Sequence, residues 1–520
     1  MQRKLLFPSL LFFGCFLAAS AQTTRYVSPT GHFDGSSWAT ANSDLQAMIN
    51  QSQPGDQIWV AAGTYYPNRE ANQPYVLSPT DRDNAFVLKS GVKIYGGFAG
   101  TETELSQRPQ SLLTANMAQS SVLSGDFNND DQTFGSGSEL MFTGRNENAY
   151  HVVLTIGTED TPISGETLLD GFVITGGNAN AWESLDINGY NLSKQWGGGI
   201  VNVYSNAIYK NITVRTNSAD LGAAGMYNFH SNIKVANSAL ILNLNSYEYG
   251  GGGFYNEQSD LTATNVLIAG NAASSGGGIV NNNNSESVLT NVTIANNHVY
   301  YFGGAIHNSQ GSGSAVRNSI LYGNSSQFRP TENGTIANHE SEATFAYSLV
   351  QGSGGSTNWN EAYGNDEGNN LDTDPLFTNN FEDFTLLSGS PAIATGSTTF
   401  YATGVTPDLS GISTDMVGSP RIFNGIDMGA YEYIPDIAAT ARFTGVAAIA
   451  YPTPTAGALH ISAGEIIKAI ELFDVNGRIL FKTAPDSVNA TLDLSSKAKG
   501  VYILRINTAA GIATQKIIKN

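Results

Sequence analysis

One pattern runs five times in succession between Gly198 and Asn324, and no other feature limits the fold as tightly. Its anchors read Gly198-Gly199-Ile200-Val201-Asn202, Ala224-Gly225-Met226-Tyr227-Asn228, Gly252-Gly253-Phe254-Tyr255-Asn256, Gly277-Gly278-Ile279-Val280-Asn281 and Gly304-Ala305-Ile306-His307-Asn308. Their asparagines stand 26, 28, 25 and 27 residues apart. A second asparagine recurs at Asn211, Asn237, Asn265, Asn291 and Asn318, and a third follows six residues later each time, at Asn217, Asn243, Asn271, Asn297 and Asn324. An offset of six that holds while other lengths drift implies identical backbone paths stacked on one another. Five glycine-rich copies also argue against a dinucleotide site, which needs one fingerprint between a strand and a helix.

The apolar runs inside each copy are short, rich in Val, Ile and Leu, and bounded by Gly, Asn and Ser, which is the signature of strands. A period near 26 residues with two or three short strands per turn fits an all-β solenoid of parallel strands, its rungs about 4.8 Å apart. At that spacing like side chains stack. Asparagine amides can donate to one neighbour and accept from the other, and asparagine tolerates the left-handed bend a sharp corner needs. The second column, Asn211, Asn237, Asn265, Asn291 and Asn318, is therefore expected to line up as a ladder. A column of serines, Ser205, Ser231, Ser259, Ser285 and Ser312, predicts an outer turn capped by side-chain-to-backbone bonds.

These repeats resemble the right-handed parallel β-helix family, which includes pectate lyases, polygalacturonases and autotransported surface proteins. Looser echoes extend the resemblance: Gly55–Pro67 and Asn84–Phe98 look like opening coils, Leu45–Asp56 like a short amphipathic cap helix, and Leu168–Asn178 like a coil with Asp170 in the asparagine slot. Asp372–Phe377, Ser388–Ile393 and Asp427–Tyr433 resemble the closing segment of secreted bacterial members, with Ala394 where aspartate is usual. The β-helix is thus expected over residues 22–435.

Beyond a linker at 436–446 the pattern changes. Segments of alternating apolar and polar residues separated by turn formers indicate a small antiparallel β-sandwich over 447–520. Tyr451, Pro452, Pro454 and Thr455, then Asp474, Gly477 and Arg478, then Gly500 and Tyr502, and finally Lys516 and Lys519 occur in an order that resembles the C-terminal sorting domain of type IX secretion. The resemblance implies engagement of that machinery, passage through the outer membrane of a Gram-negative bacterium, and either release or surface attachment.

The other end agrees. Arg3 and Lys4, the apolar stretch Leu5–Ala19 and the small-residue site Ala19-Ser20-Ala21 read as a signal peptide over residues 1–21. The single cysteine, Cys15, lies within it, so the mature chain is expected to fold without disulfides. Nothing else is long and apolar enough to cross a bilayer as a helix. With 44 acidic against 25 basic residues and a net charge of -19, nucleic acid and anionic membranes are excluded as partners by repulsion. Neutral glycans and divalent cations are not.

Candidate chemistry is sparse. Asp260 and Glu286 are the best carboxylate pair for a polysaccharide-cleaving site, yet they fill the turn slot after the serine column, where other coils carry Asn206, Asn232 and Gly313. Asp126, Asn128 and Asp130 alternate as calcium ligands would, with Asp131 adjacent; a hydrated Asx-rich turn explains the same spacing, and the EF-hand glycine and distal glutamate are missing. The residue before each first asparagine should point away from the interior, which predicts an exposed strip of Tyr227, Tyr255 and His307 for sugar rings, flanked by Tyr247, Tyr249, Tyr300 and Tyr301. The reading favours a secreted or surface-displayed β-helix protein that adheres to or binds extracellular glycans without catalysis. The alternative is a lyase or glycoside hydrolase acting on an acidic polysaccharide.

Overall fold

The computed structural model describes residues 22–108, 120–329, 334–379, 383–435, 448–474, 478–508 and 511–520. Residues 1–21, expected to be a signal peptide, and the linker expected at 436–446 fall outside them. The chain divides into two compact units, Met1–Ile434 and Pro435–Asn520.

The first unit is a parallel β-helix. One coil shows how sequence becomes rung. Phe254–Glu257 forms a four-residue strand; Gln258, at φ 48°, turns the chain; Asp260–Ala269 forms a ten-residue strand; Ala272–Ala273 forms a short third side. Among the described residues these three sides stack into parallel sheets of eight, seventeen and six strands. Like residues fall in register: Asn202, Asn228, Asn256, Asn281, Asn308 and Asn338 pair in succession. The glycines before each anchor are required by the spacing: a Cβ on Gly253 would sit 2.5 Å from the Gly278 carbonyl oxygen one coil on.

The long strand has two halves with different burial. In its first half Leu261 and Ala263 point into the core while Thr262 faces out. In the second half Val266 and Ile268 join the interior, and Leu267 and Ala269 are buried as well, on the outside. The run Val266-Leu267-Ile268-Ala269 is apolar at every position because both faces are covered. The cover is the closing segment, which folds back along the solenoid and packs Phe377, Phe384, Leu386, Met416 and Met428 against that outer column.

The second asparagine column forms the corner between the two halves. Asn211, Asn237, Asn265, Asn291 and Asn318 all have φ between 47° and 54°, and the flanking pairs hold them one above another. Their amides make a broken chain. Asn265 donates to Asn237 at 3.0 Å and Asn318 to Asn291 at 3.3 Å. Asn265, Asn291 and Asn318 also donate to the closing segment, at the carbonyls of Thr414, Asp427 and Ser397. The unbroken ladders are the first and third columns. In the first, each amide donates to the next at 2.7–2.8 Å from Asn202 through Asn338. In the third, Asn217 to Asn324 do so at 2.9–3.1 Å. The serine column forms the expected turn, between the first and second sides, but it is buried: from Ser231 through Ser341 each hydroxyl accepts the amide of the serine one coil before at 3.0–3.2 Å. One slot differs from expectation: Asp170 pairs with Lys210, so Gly171, at φ 89°, makes the bend. Asp170 still accepts the Asn211 amide.

Helix Leu45–Gln51, capped by Asp44 accepting the Ala47 amide, buries Leu45, Met48 and Ile49 against the opening coils and closes that end of the core. No helix among the described residues is long and apolar enough to cross a membrane.

The second unit is antiparallel. Strand Ala458–Phe473 pairs with four others in a single six-stranded sheet, shifting register between Ser462 and Ile467. Leu459, Ile461, Ile470, Leu472, Leu504 and Ile517 form its core.

Candidate functional site

Outward-facing residues of the eight-stranded sheet lead to the site. Leu154, Val201, Tyr227, Tyr255 and Val280 form a second apolar cluster, outside the solenoid interior. The column faces away from the interior as its alternation predicts, but it is not exposed. Tyr227 is 6% and Tyr255 3% accessible. An inserted hairpin, Ser184–Ile187 with Tyr190–Ser193, lays Leu185, Ile187 and Leu192 over the earlier coils, and Trp196 packs on both tyrosines at 5.0 and 5.1 Å. Burial drives the Tyr227 and Tyr255 hydroxyls well above the usual phenol range. An exposed strip built on Tyr227 and Tyr255 is thereby corrected: the covering hairpin carries no repeat signal, so the periodicity could not announce it.

Past the hairpin the column opens into a groove of about 950 Å³. Tyr255, Val280 and His307 lie along its floor, while Tyr227 stays beneath Trp196. One wall carries Trp196, Tyr247 and Tyr249, with Trp196 and Tyr249 rings 5.2 Å apart. The other carries Tyr300, Tyr301 and Phe302, with Phe328 5.7 Å from Tyr301. The four rim tyrosines are 41–64% exposed. The gap has a simple cause. Loops 246–253 and 300–305 are tyrosine-rich, whereas the coil between them crosses with Ser274-Ser275-Gly276 before reaching Ile279. That coil has the shortest asparagine spacing, 25 residues. The drift in repeat length was the signal that could have located the groove.

His307 closes one end of the floor. Its Nε2 lies 2.9 Å from Nδ1 of His339, its own Nδ1 has no partner, and burial, with His339 beside it, lowers its pKa to about 4. The groove's carboxylates are Glu248 and Glu257, the latter accepting the Tyr227 hydroxyl at 3.2 Å; among the described residues no lysine or arginine lines it, and the Arg329 guanidinium lies 5.5 Å from the Phe302 ring.

The other candidates lie elsewhere. Asp260 and Glu286 are adjacent in register and exposed at the starts of their strands, and neither lines the groove. Partial burial, then the Asp260 charge, raises the Glu286 pKa. Of the suggested calcium ligands, the structure groups Asp126 and Asp130 with Asp131, all three offering oxygens within 4.8 Å of one another. Asn128 is exposed, as Asp130 is, and Asp131 joins the two aspartates.

The sequence of the second unit decides one question. Residues 449–520 match the model of the secretion system C-terminal sorting domain. The chain carries a secretion address. It is a secreted or cell-surface β-helix protein whose tail engages the type IX machinery. No curated protein matches the chain. Among solved structures it is similar to the pectate lyase Pel9A, at 13% identity over 80% of this chain and 97% of that one, TM-score 0.40. It is also similar to the family 28 exopolygalacturonase of Yersinia enterocolitica, at 12% identity over 63% and 71%, TM-score 0.15. Likeness at this level says nothing about what this chain binds.

Proposed function

We propose that this protein is a non-catalytic adhesion or glycan-binding protein of the cell exterior, which takes a neutral saccharide in the aromatic groove. The supporting observation is the groove itself: opposed tyrosine walls with exposed rings, built on a rigid stacked floor. Aromatic faces suit the apolar faces of sugar rings, and the hydroxyls at their edges suit sugar oxygens. Two carboxylates, and no basic side chain among the described lining residues, favour an uncharged ligand over a polyuronate, which the net charge of -19 would also repel.

A glycan array probed with the mature protein tests this. Retention of neutral glycans is expected, lost in Tyr301→Ala and in Ser275→Tyr, which fills the gap between the walls. Binding that persists in both variants would reject the groove. The enzyme reading keeps one foothold, since a hydrolase needs two carboxylates facing a sugar and the groove holds Glu248 and Glu257. Turnover of an array-positive glycan that vanishes in Glu257→Gln would replace binding by hydrolysis.

A further inference from the structure

The loop that leaves strand Ser121–Ser124 forms a hairpin, Gln132–Phe134 with Met141–Thr143, before the chain returns to the solenoid at Val153. At its base the chain folds round one carboxylate: Asp126 Oδ1 accepts the Asp130 amide and Oδ2 the Asp131 amide, both at 3.2 Å. Asp126, Asp130 and Asp131 each turn an oxygen into one small volume. Such a cluster alone is common in hydrated turns. A second feature sets this one apart. Asn148 is wholly buried, and its Nδ2 donates to Asp131 Oδ2 at 3.0 Å and to the Gly176 carbonyl at 2.7 Å, which turns the amide toward the cluster. Its Oδ1 has no hydrogen-bond partner, and neither has Asp131 Oδ1 or Glu147 Oε1. Three buried acceptors without donors are costly to keep.

Arg145 does not satisfy them. Arg145 Nη2 lies 3.3 Å from Asp131 Oδ2, but the guanidinium also donates to the Thr216 carbonyl and Ser218 Oγ and stacks on Phe142. Four carboxylates (Asp126, Asp130, Asp131 and Glu147) face two guanidiniums, Arg145 beside Asp131 and Arg82 on the side of Glu147. An all-oxygen donor set with surplus negative charge and an irregular loop geometry suits a hard, loosely directional cation.

We propose that the base of this hairpin is a calcium site, with Asp126, Asp130 and Asp131 as charged ligands and Glu147 and Asn148 supplying further oxygens. The ion would tie the two ends of the insertion together. The hairpin tip reaches across the solenoid: a Cβ on Gly137 would lie 3.7 Å from that of His298, in the strand that leads straight into Tyr300 and Tyr301 of the groove. The site is independent of the glycan reading and stands or falls without it.

Calorimetric titration of the EDTA-stripped mature protein with calcium chloride, and separately with magnesium chloride, tests the site. One calcium per chain is expected, with Kd on the order of 0.1–1 mM as in other extracellular modules, and weaker magnesium binding. Asp130→Asn with Asp131→Asn should weaken calcium by about tenfold or more. Calcium should also protect residues 132–143 from limited proteolysis in the parent protein and not in the variant. Should the double variant fail to fold, as seen by its circular dichroism, Asp130→Asn alone, at an exposed position, takes its place. Absence of calcium heat up to about 10 mM, or equal affinity in parent and variant, would overturn the proposal.

Discussion

At the scale of the residue, stability rests on amides that each serve two coils. Asn271 is fully buried; its Oδ1 accepts both the backbone amide and Nδ2 of Asn243, while its Nδ2 donates to the Leu240 carbonyl and to Asn297. Asn271→Ala strands donors on one coil and an acceptor on the same one, at about 1–3 kcal/mol each. A loss of several kcal/mol in denaturant unfolding is expected; a loss no larger than that of an exposed Asn→Ala would mean that water replaces the ladder. This column was legible in the sequence because the offset of six is constant, and constancy is what register requires. The fate of Tyr227 and Tyr255 was not, since alternation shows which way a side chain points but not what lies over it. His307 carries part of the pH dependence, the rest of that window belonging to the buried His151, also lowered to about 4 by burial. The His307 pKa falls from an ordinary 6.5 to about 4, so the fold prefers the neutral ring. Its contribution is present in full above about 6.5 and is lost as pH falls toward about 4, because the unfolded chain takes up a proton the folded one refuses. The loss is about 1–3 kcal/mol. Comparing melting of the parent and His307→Gln across that window should show a shallower fall in the variant, and parallel curves would place the titration elsewhere.

At the scale of the element, the closing segment is what the repeats could least foretell. It binds the second asparagine column across long sequence separations, as from Asn291 to Asp427, and no periodicity links such partners. Its fastening point is Arg421, fully buried, with Nη2 2.6 Å from Glu432 Oε2 and Nη1 on the Asn265 amide oxygen and the Gly429 and Ala430 carbonyls. Burial pushes the Glu432 carboxyl up to about 7 although the guanidinium pulls the other way. Removing one member of a buried pair strands the other, at about 3–5 kcal/mol. Arg421→Met should therefore loosen this segment before the coils beneath it, whose ladders do not pass through it. The expected readout is proteolytic cleavage within 384–433 while the far-ultraviolet circular dichroism of the solenoid persists; global unfolding in one step would show that the segment and the coils form a single cooperative unit. The groove is an element-scale feature too, produced by loops of unequal length on successive coils, and only the spacing of 25 among longer ones hinted at it.

At the scale of the whole molecule, the two units have separate cores. The apolar clusters of the solenoid and the cluster around Leu459, Ile470 and Leu504 share no residue. A domain with its own core does not need its neighbour to fold, and an address needs only to be displayed. Both properties can be read from one deletion. A chain ending at residue 435 should melt within about 1 °C of the full chain's solenoid transition, since every residue of the solenoid's apolar clusters is kept. The same deletion should abolish appearance of the protein outside the cell in a host with type IX secretion. The two readouts separate the roles: export lost with melting unchanged makes the tail an address, whereas a lowered solenoid transition would make it part of the solenoid's own stability, and export retained would mean that the chain leaves the cell by other information than residues 449–520.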